Sequence, residues 1–145
     1  MDFLTAIDIS SSGLSAERAN LNIIAMNLAN AKTTRTSEGG PYQRRMVIKA
    51  TADVDAPFAS AMRDAQTREL KGVRILGVSR DSRPFKRVFE PGHPDADNDG
   101  YVMYPDINVV EEMTNMLTVT RSYEANVTGV QNIKGMWSKA LEIGR

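Results

Sequence analysis

Residues 14–31, LSAERANLNIIAMNLANA, decide the architecture of this chain. In and around this stretch an apolar side chain recurs every seven residues, at Ile7, Leu14, Leu21 and Leu28, with Ile24 and Ala31 on the offset seam. A seven-residue repeat with a second apolar position is typical of helices that pack lengthwise against other helices. We therefore predict a long helix that begins near Asp2 or Leu4 and ends at about Asn30.

The C-terminal region carries the same period. Its apolar positions are Val109, Met116, Tyr123, Val130 and Trp137, with Met113, Thr120, Val127 and Leu141 on the offset seam. Asp106 or Asn108 can cap a second long helix, and Glu111 and Glu112 suit the positive end of its dipole. We expect this helix to end at about Ile143.

Between the two helices the sequence has the character of short strands. Residues 42–51, 72–79, 85–89 and 101–104 are rich in β-formers and are separated by Pro and Gly, which predicts hairpins of a small antiparallel sheet. Residues 58–70 fit a short helix or a mobile insertion within the segment 52–70. The predicted class is α+β, with long N- and C-terminal helices forming a coiled coil and with a small antiparallel β-rich middle domain. The expected domains are 1–31, 32–106 and 107–145.

Composition excludes several classes of function. The chain has no cysteine, which excludes disulfides, thiolate catalysis and cysteine metal sites. It has no apolar run long enough for a membrane span, and we expect no secretory signal peptide, since residues 1–13 contain two acids and no basic segment. Residues 32–94 carry 13 basic and 7 acidic residues, but no nucleic-acid-binding motif accompanies them, so we predict no nucleic-acid partner.

The segment 93–100, HPDADNDG, is the strongest alternative to a structural role. Asp95, Asp97, Asp99 and Gly100 match the first half of a calcium-binding loop, but the twelfth position is Asp106 and not the longer Glu that binds with both oxygens. A tight turn of a hairpin explains the same residues. His93 is the only histidine, so we expect it to be exposed in a turn, and we predict no metal, no cofactor, no small-molecule substrate and no enzymatic activity.

The apolar surface of the helices is wider than one partner helix needs, so we favour packing between subunits over a closed two-helix bundle. Asn22, Asn27 and Asn30 either lie on a solvated helix face, with Asn30 near the helix end, or fix the register of packed helices through amide hydrogen bonds. The predicted subunit-packing residues are Ile7, Leu14, Leu21, Ile24, Asn27, Leu28, Asn30, Val109, Met113, Met116, Tyr123, Val127, Val130 and Trp137.

Several motifs together resemble the axial proteins of the bacterial flagellar rod and hook. The N-terminal signature lies at residues 12–16 (SGLSA) and 21–31 (LNIIAMNLANA), followed by Thr33 and Thr34. Four further motifs follow in the family's order, at residues 40–45 (GPYQRR), 91–102 (PGHPDADNDGYV), 111–113 (EEM) and 122–127 (SYEANV). The resemblance covers nearly the whole chain except the segment 52–70.

The resemblance implies a structural subunit of the proximal rod, which transmits motor torque to the hook and filament. It implies that the chain is exported by the flagellar type III apparatus without a cleaved signal and self-assembles in the periplasm beside FlgB, FlgF, FlgG and FliE. A soluble coiled-coil adapter is the nearest alternative, and a calcium-binding module is a more distant one.

Overall fold

The computed structural model describes residues 3–53 and 71–144. Along the chain the elements are α1 (Phe3–Ala29), β1 (Arg45–Asp53), β2 (Lys71–Arg80), β3 (Lys86–Phe89), β4 (Tyr101–Tyr104) and α2 (Val109–Ile143). The predicted α+β class with long terminal helices is confirmed. Of the segment 52–70, Ala52 and Asp53 belong to β1, and the prediction of a short helix or mobile insertion lies outside the described residues.

The helix α1 runs without a break through the serines at its centre. Ser10 Oγ donates to the carbonyl of Ala6 and Ser12 Oγ to the carbonyl of Ile9, at 3.0 and 2.7 Å. Serines bonded in this way remain inside the helix, so they do not begin a second one. At the C-terminal end, Asn30 Nδ2 donates to the carbonyl of Met26 at 2.8 Å and terminates the helix locally.

The helix α2 begins at an asparagine cap. Asn108 Oδ1 accepts hydrogen bonds from the backbone N–H of Val110 at 3.0 Å and of Glu111 at 3.5 Å. These bonds satisfy donors that have no partner within the helix. Asp106, the other predicted cap, instead forms an ion pair with Lys86 at 2.8 Å.

The strands form two separate two-stranded sheets, β1–β2 and β3–β4, where a single sheet was expected. Strands β3 and β4 pair antiparallel, from Lys86 opposite Tyr104 to Phe89 opposite Tyr101. The predicted turn is present in the loop between them, where the N–H of Gly100 donates to the carbonyl of Asp97 at 2.8 Å. Gly100 has φ of +77°, a conformation that favours glycine.

The chain forms two compact units, and each draws on both ends of the sequence. Unit 1 contains residues 1–19, 49–76 and 120–145, and unit 2 contains residues 20–48 and 77–119. In unit 1, Phe3 stacks on Trp137 with ring centroids 4.6 Å apart, and a Cβ on Gly13 would lie 3.1 Å from Asn126 Nδ2. The helices therefore approach each other closely at Gly13.

Unit 2 contains most of the buried apolar side chains of the described residues. They are Ile24, Tyr42, Val102, Ile107 and Val119, whereas Ala16 is buried in unit 1. No helix within residues 3–53 and 71–144 has an apolar stretch long enough to cross a membrane.

We expect Gly100→Ala to lower the free energy of unfolding by about 1–3 kcal/mol, because the residue would be strained at positive φ. Its Cβ would also lie 3.0 Å from Phe89 Cε2. Gly92→Ala is the matched control in the same loop, since a Cβ there meets nothing within 4 Å. Urea unfolding measures the free energy of unfolding of both variants. Equal losses in the two variants would contradict the special conformational requirement at Gly100.

Candidate functional site

A cluster of polar side chains lies inside unit 2 and joins α1, β1 and α2. We call it the Glu112 network, and it comprises Asn27, Tyr42, Arg44, Asp81 and Glu112. Asn27 and Glu112 are each only 1% exposed. An ionised carboxylate buried to this extent is stable only when charged and polar partners surround it.

The carboxylate of Glu112 has partners on both oxygens. Its Oε1 accepts hydrogen bonds from Arg44 Nε at 2.8 Å and from Arg44 Nη2 at 2.6 Å, and its Oε2 accepts one from Asn27 Nδ2 at 3.0 Å. Charge-assisted bonds of this length are among the stronger hydrogen bonds in proteins. They connect the first turns of α2 with the residue that precedes β1 and with α1.

Asn27 uses both ends of its amide within the chain. Asn27 Oδ1 accepts from the Tyr42 hydroxyl at 3.0 Å and from the backbone N–H of Arg45 at 2.9 Å, while Nδ2 also donates to the carbonyl of Arg45 at 2.9 Å. These bonds, with the one to Glu112, occupy both donors and both acceptor positions of the amide. Among the described residues no buried side-chain nitrogen or oxygen is without a hydrogen-bond partner.

Ion pairs extend the network to the loop after β2. Arg44 Nη1 lies 3.3 Å from Asp81 Oδ2, and Arg83 Nε donates to the same oxygen at 2.7 Å. The hydrogen bond from Arg83 is the main reason why the pKa of Asp81 lies below its ordinary value, and the bond from Arg44 adds to it. The pKa of Tyr42 is raised, chiefly by burial and further by the charge of Glu112, although Arg45 opposes the shift. The whole arrangement holds secondary-structure elements together.

The opposite side of α2 presents an exposed apolar surface. Val110, Met113 and Leu117, which we call the α2 stripe, are 72%, 56% and 62% exposed. Their spacing of i, i+3 and i+7 places them on one face of the helix. Near the end of α2, Leu141 is 57% exposed and Ile143 is 87% exposed. Contiguous exposed apolar side chains of this kind mark surfaces that contact other molecules.

The acidic loop after β3 is occupied by contacts within the chain. Asp95 Oδ2 accepts a hydrogen bond from the Thr34 hydroxyl at 2.7 Å, and Asp99 lies 3.6 Å from Arg87. His93 is half-buried, so the expectation that it would be exposed is wrong, because its Nδ1 accepts from the backbone N–H of Asp95 at 3.1 Å. In residues 3–53 and 71–144 no three His, Asp or Glu side chains are grouped as metal ligands would be.

The predicted subunit-packing residues fall into three groups by exposure within the single chain. Ile24 and Asn27 are buried, and Val109, Met113 and Trp137 are exposed. The half-buried group consists of Ile7, Leu14, Leu21, Leu28, Asn30, Met116, Tyr123, Val127 and Val130. Their packing between subunits stays a prediction. One alternative for Asn27 was that its amide fixes the register of packed helices. In the single chain the amide makes the hydrogen bonds described above to its own chain.

Sequence reasoning missed four members of the network: Tyr42, Arg44, Asp81 and Glu112. Glu112 was interpreted only as a favourable charge in the first helical turn. It lies seven residues before Val119, and both are buried, so the inward face of α2 in unit 2 follows these two residues. Because Glu112 and Val119 share one face of α2, the spacing could have predicted that the carboxylate is buried and needs a cation as a partner.

Two families match the two ends of the chain. The family described as "Flagella basal body rod protein" matches residues 7–35, and that described as "Flagellar basal body rod FlgEFG protein C-terminal" matches residues 98–143. The matched regions contain most of α1 and all of α2. They include both Asn27 and Glu112 of the network.

Relatives that align with nearly the whole chain are named "Flagellar basal-body rod protein FlgC". The relative from Borreliella burgdorferi is 37% identical and the alignment covers 99% of this chain and 98% of that protein. The relative from Bacillus subtilis is 35% identical over 97% of each chain. The relative from Salmonella typhimurium is 37% identical over 100% of each.

We expect Glu112→Gln to lower the free energy of unfolding by about 3 kcal/mol, because it leaves the charge of Arg44 inside unit 2 without its closest carboxylate. Glu111→Gln is the matched control on the adjacent residue. Its carboxylate is 48% exposed and lies 3.8 Å from Arg83, so we expect a change within about 0.5 kcal/mol. Urea unfolding followed by circular dichroism compares the two, and similar losses would contradict the central position of Glu112.

We expect Asp81→Asn to destabilise the chain at neutral pH and to have less effect in acid. The pKa of the folded Asp81 carboxyl lies below its ordinary value of 3.8, so its contribution to the free energy of unfolding is complete above that value and is lost as pH falls through the lower folded pKa. Urea unfolding of the unaltered chain and of the variant between about pH 7 and about pH 2 measures the difference between their free energies of unfolding. If that difference is the same at every pH in this range, the prediction is contradicted.

Proposed function

The chain belongs to the FlgC family of flagellar basal-body rod proteins, and we propose that it polymerises through its two long helices into the proximal part of the rod. It is a structural subunit of the rod of the bacterial flagellar basal body, and it assembles with other axial proteins there. The relatives that support this assignment are structural proteins. We propose in addition that the chain has no catalytic function of its own.

The exposed apolar surface of α2 is the observation that carries the proposal of polymerisation. The helix has 35 residues, which corresponds to a length of about 52 Å. Fully burying a Val, Leu or Met side chain contributes about 1.5–3 kcal/mol, so each member of the α2 stripe would gain roughly 1 kcal/mol when a neighbour covers it. Gains of this size become large only when a subunit makes many contacts at once, as it does in a polymer.

We propose that the terminal helices and the middle of the chain have different positions and functions in the rod. The segments 1–31 and 107–145 form helical contacts between subunits, and the middle, 32–106, packs outside the helical tube. The Glu112 network supports this division, because it ties both helices to β1 inside each subunit. Torque would then pass through many parallel contacts between subunits. Inside each subunit the Glu112 network, whose polar groups all have hydrogen-bond partners, would hold the helices and β1 together.

Family membership supports a proposal for the neighbours of this subunit and for its route to the rod. We propose FlgB, FlgF, FlgG and FliE as the axial proteins beside this subunit, and the flagellar type III apparatus as its exporter, with no cleaved signal peptide. The rod would cross the periplasm. The absence of cysteine supports this route, since no disulfide can form before or during passage.

We expect Leu141→Asp to abolish rod assembly and motility while leaving the isolated chain folded. Leu141 is 57% exposed in the single chain, so the charge costs little there. Buried against a neighbour, an unpaired carboxylate costs several kcal/mol, which predicts at least about tenfold fewer rods. Electron microscopy of purified basal bodies provides the count.

Leu141→Met is the matched control, because it keeps an apolar side chain of similar size at the same position. Circular dichroism of both purified variants shows whether the fold is intact. Normal rods in a strain that carries only the Leu141→Asp chain would contradict the proposed packing of this helix.

A further inference from the structure

The loop between β3 and β4 contains the only histidine of the chain, and the imidazole is part of the hydrogen bonding of that loop. His93 is half-buried, and its Nδ1 accepts a hydrogen bond from the backbone N–H of Asp95 at 3.1 Å. Asparagine and aspartate side chains accept from the N–H two residues further on in the same way, in Asx-turns. The ring of His93 therefore takes the place of such a side chain and holds the backbone of Asp95.

Asp95 connects this loop to the segment between α1 and β1. Its Oδ2 accepts a hydrogen bond from the Thr34 hydroxyl at 2.7 Å, and its Oδ1 lies 3.9 Å from Arg35 Nη1. The Arg35 side chain is 80% exposed, so solvent weakens its ion pair and the Thr34 bond is the main connection. We call the series His93, Asp95 and Thr34 the His93 latch. All three residues belong to unit 2.

The latch lies at a cleft between the two segments that it joins. The cleft has a volume of about 350 Å³. Thr34 and Arg35 line it from the segment after α1, and Pro94, Asp95 and Asp97 line it from the loop between β3 and β4. The bond between Asp95 and Thr34 therefore sets how far apart these two walls of the cleft stand.

Two carboxylates lie near the ring of His93. The ring packs against Tyr104 of β4 with centroids 6.2 Å apart, and the Tyr104 hydroxyl donates to Glu90 Oε2 at 2.9 Å. The pKa of Tyr104 is raised, first by this hydrogen bond, and the charges of Glu90 and Asp95 add to the shift. Both carboxylates are therefore close to the pair of rings.

The remaining charged groups near this site do not offset the acidic character. Lys86, which lies opposite Tyr104 in the neighbouring strand, forms an ion pair with Asp106 at 2.8 Å. Asp97 lines the cleft, and Arg35 lies on the far side of Asp95. An added positive charge on His93 would therefore meet carboxylates on its own loop.

Protonation of His93 changes which partner its ring can bind. Imidazole gains its second proton between about pH 8 and about pH 5. A proton on Nδ1 makes that nitrogen a donor, so it can no longer accept from the N–H of Asp95. The charged ring is attracted instead to the carboxylates of Glu90 and Asp95. The loop must rearrange to form these charge pairs, because the backbone bond that held Asp95 is lost.

We propose that the His93 latch is sensitive to acid. The neutral ring holds Asp95 against Thr34, and the protonated ring releases Asp95 and lets the cleft widen. The latch shares no residue with the Glu112 network, so it opens without separating α1 from α2. This inference goes beyond the proposed function, since it concerns the single chain and does not require assembly.

Nuclear magnetic resonance of the isotopically labelled chain between about pH 8 and about pH 5 tests the latch without any substitution. We expect the ring protons of His93 and the backbone amides of Asp95 and Thr34 to change with one shared midpoint. Corrected for the intrinsic rate, hydrogen exchange of the Asp95 amide should become at least about threefold faster in acid, as loss of one hydrogen bond predicts. If His93 titrates while the Asp95 amide or Thr34 does not respond, the proposal is overturned.

His93→Asn is the matched control, because the asparagine Oδ1 can accept from the same N–H and does not titrate. We expect the amides of Asp95 and Thr34 to be constant in this variant over the same pH range. His93→Ala removes the acceptor, so exchange of the Asp95 amide should already be as fast at about pH 8 as it is in the acidified unaltered chain. A titration that persists in His93→Asn would overturn the proposal by assigning the response to another group.

Spin labels measure the widening of the cleft, since the chain has no cysteine of its own. Arg35→Cys/Asp97→Cys places one label on each wall, at two exposed positions. We expect a longer distance between the labels at about pH 5 than at about pH 8, and no change when His93→Asn is added. An unchanged distance in the chain that keeps His93 would overturn the widening. Circular dichroism verifies that each variant is folded, and the titration of the unaltered chain decides the matter if a variant is not.

Discussion

The buried carboxylate of Glu112 is the constraint on which the rest of unit 2 depends. Removed from water, it requires a cation and further donors at fixed positions, and these come from Arg44, which precedes β1, and from Asn27 of α1. An apolar contact between helices tolerates sliding by part of a turn. A carboxylate with three hydrogen bonds does not, so the network specifies how α1, β1 and α2 meet more narrowly than the apolar residues around it.

The secondary structure was largely predictable because its signals are local. Asn108 caps α2, Asn30 ends α1, and the turn at Gly100 lies between β3 and β4, each as the neighbouring residues indicated. The pairing of strands into two sheets was not predictable, because it depends on contacts between distant segments. Turn signals do not determine which hairpin joins which sheet.

The candidate site was harder to predict than the fold. Asn27 and Glu112 are 85 residues apart, and nothing in the local sequence pairs them. The seven-residue pattern identified both helices but did not determine which apolar residues face the chain itself. In unit 2 the inward face of α2 follows Glu112 and Val119, whereas Val110, Met113 and Leu117 remain exposed. A single sequence shows that an apolar stripe exists, but not whether its partner belongs to the same molecule.

Both compact units need the first and the last third of the chain, and this has a consequence for the timing of folding. Phe3 stacks on Trp137 and the amide of Asn27 bonds to Glu112, so neither contact can form before the C-terminal partner is available. Closing loops of this length is entropically costly and slow compared with forming a single helix. A chain whose last third is not yet available therefore lacks both contacts, and the two units become complete only when α2 can pack against α1.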